Sequence, residues 1–127
     1  MVFLTTKRIL VIDDEAPIRE VVAASLQKLG GWEVVLAASG REALQQIDIT
    51  PPDAIVLDVI MPEMDGLTFL KYLRADPVAQ SIPVVLLTAN SYLFDAHLFL
   101  QMGVVLSVDK PFSPKTLIQQ MTDVLAW

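Results

Sequence analysis

Cysteine is absent from the 127 residues. That excludes a disulfide framework and any thiolate metal site, and it suits a reducing compartment. There is one histidine, His97. A lone imidazole makes neither a metal site nor a phosphorelay, and a surface position is its ordinary reading. No run of Lys and Arg occurs, and the formal net charge is −6. Such a chain is a poor partner for phosphate backbones, so direct nucleic-acid binding is not expected. Long apolar runs are missing too. The stretch that follows Lys7-Arg8 stops at Asp13, which is neither a signal peptide nor a membrane span. The expected setting is therefore the cytoplasm, away from any membrane. No repeat, low-complexity stretch or linker interrupts the chain, and none trails Trp127, which points to a stand-alone protein. With 54% hydrophobic residues, one domain can build its own core without staples.

What is present alternates between two periods. Arg8 to Ile12 is a short continuous apolar run, the mark of a strand buried on both faces. Pro17 then opens a helix whose stripe is Ile18, Val21, Val22, Ser25 and Leu29, with Leu26 at the margin. Gly30-Gly31 ends it. Trp32 to Ala37 reads as a second strand, and Ser39 with Glu42 forms a capping-box pattern for a short helix through Ile47. After Pro51-Pro52, Ala54 to Leu57 is a third strand that ends at Asp58. Gly66 to Ala75 is a helix with Leu67, Leu70, Leu73 and Arg74 on one buried side. Ile82 to Leu87 is a fourth strand ending at Thr88, Ser91 to Met102 a fourth helix, and Val104 to Val108 a fifth strand before Lys110-Pro111. Ser113 caps a last helix that begins at Pro114 and turns Leu117, Met121 and Val124 inward. Five strand–helix units imply a parallel sheet with right-handed crossovers and helices on both faces. In such sheets ligands bind beyond the carboxyl ends of the strands.

Those ends carry Asp13 and Asp14, Asp58, Thr88 and Lys110. Any one of them alone is an ordinary loop residue; the set on four strand ends is more telling. Close carboxylates repel, and at least one takes a raised pKa unless a cation intervenes. Oxygen donors without His or Cys suit a hard cation such as Mg²⁺. An ammonium and a hydroxyl opposite suit an anionic guest. Carboxylates with a metal on one side and donors on the other fit phosphoryl transfer to a carboxylate, where positioning and charge neutralisation dominate.

The stretches Ile12-Asp13-Asp14-Glu15, Val56 through Asp58 to Met61-Pro62-Glu63-Met64-Asp65-Gly66, Leu87-Thr88-Ala89 and Lys110-Pro111-Phe112 resemble the motifs of response-regulator receiver domains. Their order and spacing match across essentially the whole chain. The resemblance implies one receiver domain over residues 1–127, with a flavodoxin-like doubly wound (βα)5 fold and strand order 2-1-3-4-5. It implies that Asp58 is the phosphoacceptor and that Mg²⁺ is the cofactor, held by Asp13, Asp14, Asp58 and the backbone carbonyl of Ile60. Thr88 is then the switch hydroxyl and Lys110 the phosphoryl contact, next to a Lys-Pro bond that is typically cis. Ile60 and Asn90 would gate the water that removes the phosphoryl group. The implied activity is not that of an ordinary enzyme. It is a phosphoacceptor that promotes its own phosphotransfer and slow dephosphorylation. The implied partners are a histidine kinase or phosphotransfer protein, and a downstream target or second copy on the face of the fourth helix, fifth strand and fifth helix.

Two features depart from the family pattern. Ser107 stands where an aromatic ring usually serves as the readout. The segment from Tyr92 to Leu106 is also more apolar than one buried stripe can use. Phe99, Leu100 and Met102 are assigned to the core, leaving Leu93, Phe94, Leu98, Val105 and Leu106 for an exposed patch. Other readings are weaker. A flavodoxin-like flavin carrier would need a phosphate cradle where Asp13-Asp14-Glu15 repels phosphate. A phosphatase of the haloacid dehalogenase type would need an Asp-x-Asp pattern after the first strand. A receiver kept as an unphosphorylated scaffold stays open through Ser107.

Overall fold

The computed structural model describes residues 6–58, 66–88 and 96–127. The elements run β1 (Arg8–Ile12), α1 (Ala16–Lys28), β2 (Glu33–Ala37), α2 (Gly40–Ile49), β3 (Ala54–Asp58), α3 (Gly66–Ala75), β4 (Val84–Thr88), α4 (Ala96–Gln101), β5 (Val104–Asp109) and α5 (Pro114–Leu125). All five strands pair in parallel in the order β2-β1-β3-β4-β5. This is the flavodoxin-like (βα)5 arrangement expected from the sequence. Every residue of β3 and β4 is buried, whereas the edge strands β2 and β5 alternate with exposed positions. Continuous burial is what a central parallel strand requires, because helices cover both of its faces.

The two faces have separate cores. On one, Leu10, Ile12, Ile55, Leu57, Val84 and Leu86 meet Ala43 and Ile47 of α2, Phe69, Leu70 and Leu73 of α3, and Phe99 of α4. On the other, Ile9, Val11, Val56, Val85 and Leu87 meet Val22 and Leu26 of α1 and Leu117 and Met121 of α5. Alternate residues of each strand supply alternate faces, as the pleat demands. The register of β4 against β5 slips between Val84 and Val85, whose partners are Val104 and Leu106. This bulge re-aims β5, so Val104 joins one core while Leu106 and Val108 join the other.

Several boundaries differ from the sequence reading for local reasons. Trp32 is not part of β2, because its N–H bonds to Leu26 O at the end of α1 rather than to a neighbouring strand. β4 begins after Ile82-Pro83, since the proline has no N–H for the ladder. α2 runs two residues further, to Ile49, and is closed by Thr50 N–H on Gln46 O. Its capping box forms in a shifted version: Glu42 N–H donates to Ser39 Oγ, and the Glu42 carboxylate accepts from Ala38 N–H. Ser113 occupies the N-cap of α5 without a side-chain cap bond. The following Pro114 presets the helical φ there. In α1 the buried stripe centres on Val22 and Leu26, while Val21 and Leu29 are exposed. Leu29 is already the C-cap, where it has left the buried face. Val124 likewise turns outward from α5. Of the apolar residues around α4, Phe99 is buried and Met102 packs against the core. Leu100 is 66% exposed, contrary to its assignment to the core. His97 is exposed and faces Gln101 one turn on.

Arg74 holds the amino end of the sheet together. It was expected on the buried side of α3, and its guanidinium gathers four carbonyls: Met102 at 2.6 Å, Ala79 at 3.2 Å, Gln80 at 2.6 Å and Ile82 at 2.8 Å. Gly103 adopts φ 85°, and a Cβ there would run into this guanidinium. Glycine is therefore required twice over, for its backbone and for its missing side chain. Replacing Arg74 with Met keeps the chain length and removes every donor. We expect it to destabilise the fold by roughly 2–4 kcal/mol, the cost of leaving several half-buried carbonyls unpaired. Urea unfolding measures this, and a change below about 0.5 kcal/mol would show that water replaces the guanidinium freely.

Candidate phosphoacceptor and metal site

The parallel sheet brings four strand ends to one edge. Asp13 follows β1, Asp58 and Thr88 are the last residues of β3 and β4, and Lys110 follows β5. The backbone ties these ends together. Asp13 N–H bonds to Ala37 O at 3.2 Å, and Lys110 N–H bonds to Thr88 O at 2.7 Å. The Lys110-Pro111 peptide is cis, as the resemblance implied. Asp13, Asp58 and Thr88 are buried, Asp14 is exposed, and Lys110 is half-buried. All four sequence-predicted acid and lysine positions therefore meet. Ile60, the predicted carbonyl ligand, lies outside the described residues, as do Pro62, Asn90, Leu93 and Phe94.

Carboxylate oxygens of Asp13, Asp14 and Asp58 lie within 4.8 Å of one another. Lys110 Nζ stands 3.3 Å from Asp58 Oδ1 and 3.9 Å from Asp13 Oδ2. The second distance is too long for a hydrogen bond. Asp13 Oδ2 is buried with no hydrogen-bond partner, while Oδ1 accepts from Glu15 N–H at 2.9 Å. Burial pushes the Asp13 carboxyl up to about 6, helped by the neighbouring Asp58 and Asp14 charges and opposed by the Glu15 N–H and Lys110. A buried, unpartnered carboxylate oxygen beside two more carboxylates is a place that a divalent cation would satisfy. The donor set is all oxygen, which suits a hard ion such as Mg²⁺.

Two features beside the site carry no sequence signal. Arg19 Nη1 donates to the backbone carbonyl of Asp13 at 2.6 Å, fixing the turn that aims the acid pair. Its spacing from Asp13 is meaningful only once the first turn of α1 has folded back. A groove of about 470 Å³ also runs from Lys110 between α1 and the β5–α5 connection, lined by Pro17, Ile18, Val21, Pro111, Phe112 and Pro114. The exposed Val21 belongs to this surface rather than to the core.

The profile of the response regulator receiver domain matches residues 9–122. The phosphate regulon transcriptional regulatory protein PhoB of Escherichia coli strain K12 is 39% identical over 119 residues, covering 94% of this chain and 52% of that protein. The chain thus spans about half the length of the curated relatives it matches. Among solved structures, the chemotaxis response regulator CheY4 of Vibrio cholerae superposes with a TM-score of 0.85 at 34% identity, covering 94% of this chain and 99% of that one. The receiver domain of the sensor histidine kinase PA1611 from Pseudomonas aeruginosa PAO1, with a magnesium ion coordinated in its active-site cleft, gives a TM-score of 0.85 at 28% identity. That match covers 97% of this chain and all of that one, 100%.

The raised Asp13 carboxyl has a consequence for stability. Its folded value of about 6 exceeds the ordinary 3.8, so the folded protein binds this proton more tightly than the unfolded chain does. Its contribution favours folding below about pH 4 and is lost as pH rises through about 6. In metal-free buffer we expect Asp13→Asn to flatten that decline and to raise stability at pH 7. Urea melts across this window, with and without millimolar Mg²⁺, test it. The variant should also lose most of any Mg²⁺-induced rise in melting temperature. An unchanged slope would remove Asp13 as its source.

Proposed function

Because this chain belongs to the response regulator receiver domain family of two-component systems, we propose that it accepts a phosphoryl group on Asp58 from a histidine kinase or a phosphotransfer protein. The observation that carries this reading is the placement of Asp58 Oδ1, 3.3 Å from Lys110 Nζ within the three-acid cluster. In the transfer, an Asp58 carboxylate oxygen forms a bond to phosphorus as the bond from phosphorus to the donor imidazole nitrogen breaks. The electron pair leaves with that nitrogen. Lys110 offers its ammonium to the phosphoryl oxygens, and Thr88 offers a hydroxyl from the adjoining strand end. Asp13, Asp14 and Asp58, with the carbonyl of Ile60, would hold Mg²⁺. That ion neutralises charge building on the phosphoryl oxygens and relieves the repulsion among the acids. Residues 1–127 then act as one receiver domain, a signalling phosphoacceptor rather than a turnover enzyme.

The apolar groove beside Lys110 supports docking of the phosphoryl donor, since it places a partner's side chains next to Asp58 without adding charge. Output belongs on a different face. Leu100 of α4, Val105 of β5 and Val124 of α5 are all exposed, at 66%, 39% and 42%. Exposed apolar residues grouped on adjoining elements fit a docking surface for a second copy or a downstream target. Ser107 is exposed on β5 and supplies no ring. The signal then runs from the phosphoryl group through the Thr88 hydroxyl to the segment that leads into α4, and biases that helix between two packings. None of the described helices is long and apolar enough to cross a membrane. The net charge of −6 supports a chain that makes no direct nucleic-acid contact of its own.

Acetyl phosphate with Mg²⁺ should add one phosphoryl group by mass spectrometry, with chelator or Asp58→Asn abolishing the product. Equal labelling of the variant would sink the assignment. For output, sedimentation with and without beryllofluoride should show a change in self-association or partner binding that Leu100→Asp and Val124→Asp suppress. Wild-type behaviour of both variants would move the output surface elsewhere.

A further inference from the structure

Of the three clustered acids, Asp13 and Asp58 are buried and Asp14 is exposed. Packing fixes the direction of the first two carboxylates. It does not fix that of Asp14, which follows from the two peptide groups flanking this residue. Both are tied down. The carbonyl of the Asp13–Asp14 peptide accepts from Arg19 Nη1 at 2.6 Å. The N–H of the Asp14–Glu15 peptide donates to Asp13 Oδ1 at 2.9 Å. Arg19 enters the turn a second time through its backbone, with its N–H on Glu15 O at 2.9 Å. Glu15 is the N-cap of α1, but its side chain makes no cap bond. The Arg19 side chain therefore ties the body of α1 back to the turn.

Without that tie, the Asp13–Asp14 peptide plane could rotate about its flanking bonds, and the Asp14 Cα–Cβ bond would turn with it. A charge-assisted bond from a partly buried guanidinium opposes the rotation. The ion that the donor set suits is sensitive to such a rotation. Mg²⁺ demands near-ideal octahedral geometry, whereas Ca²⁺ accepts irregular and larger oxygen shells.

We propose that Arg19 is a positioning residue for the cation. By orienting the Asp13–Asp14 peptide it places the Asp14 carboxylate for a small octahedral ion, and so sets both the affinity for Mg²⁺ and the preference for it over Ca²⁺. The proposal rests on the reading of Asp13, Asp14 and Asp58 as a metal site. In this role Arg19 touches neither the ion nor the phosphoryl group. Charge alone would act in the opposite sense, since a guanidinium near the site repels a cation and its removal would tighten binding. The charges that act on the Asp13 carboxyl are those of Asp58, Lys110 and Asp14, so the guanidinium works through the backbone.

The test is calorimetric titration of the whole chain with Mg²⁺ and with Ca²⁺, in the absence of any phosphodonor. Arg19→Met keeps the length of the side chain and removes its donors. It should weaken Mg²⁺ about tenfold, the worth of one hydrogen bond to a charged group. Ca²⁺ should weaken by less than about threefold, because its shell tolerates a displaced carboxylate. Arg19→Gln, whose amide stops well short of the Asp13 carbonyl, serves as a second variant with the same expectation. In an Asp14→Asn background, Arg19→Met should cost less than about twofold in Mg²⁺ affinity, because the carboxylate it places is gone. Urea melts in metal-free buffer record any loss of stability separately. Unchanged or tighter Mg²⁺ binding in the folded Arg19 variants, equal losses for the two ions, or a full effect without the Asp14 carboxylate would each overturn the proposal. Absence of Mg²⁺ binding by the wild type would overturn the reading of the metal site itself, and the proposal with it.

Discussion

Two buried aspartates share one lysine, and the carboxyl edge of the molecule is organised around that imbalance. Asp13 and Asp58 have lost most of their water, and Lys110 lies close to Asp58 but only distantly near Asp13. Asp14 adds a third carboxylate at the rim. The sheet can hold these groups together because its strands are parallel and neighbouring, so their ends coincide in space. The sheet's own stability comes from elsewhere, from two apolar cores that leave the strand ends free to be electrostatically uncomfortable. That discomfort, expressed in the raised Asp13 carboxyl, is what a bound cation would relieve.

The amino edge solves the opposite problem. There the excess is of unpaired carbonyls, and one cation, Arg74, collects them from the turn after α3 and the turn before β5. The carboxyl-terminal end of α4 is thereby fastened at Met102-Gly103, while its other end adjoins the segment that follows Thr88.

Apolar surface is distributed with the same economy. Val21 would be wasted exposure on α1, yet it lines the groove beside Lys110. Leu100, Val105 and Val124 lie on the three elements at the β5 edge, with α4 on one side of the sheet and α5 on the other. Trp32 and Trp127 close a further seam, ring edge to ring face at 5.2 Å, with Lys7 over the Trp127 ring at 5.6 Å. Trp127 packs with Trp32 against the α1–α5 core.

The sequence by itself determined the element order, the parallel sheet, the meeting of Asp13, Asp14, Asp58 and Lys110, and the family. Each depends on patterns that are local or strictly ordered along the chain: apolar runs, breakers, and charged residues placed where strands stop. Tertiary structure decided which side of each helix is inside. Val21, Leu100 and Val124 have the period of core residues, but period shows only that a stripe exists, and the angle at which a helix lies on the sheet sets which residues it hides. Tertiary structure also decided that Arg74 is a clasp and that Arg19 braces the Asp13 turn. These outcomes rest on carbonyls and side chains far apart in sequence, joined only after the chain has closed, and no spacing along one segment encodes them.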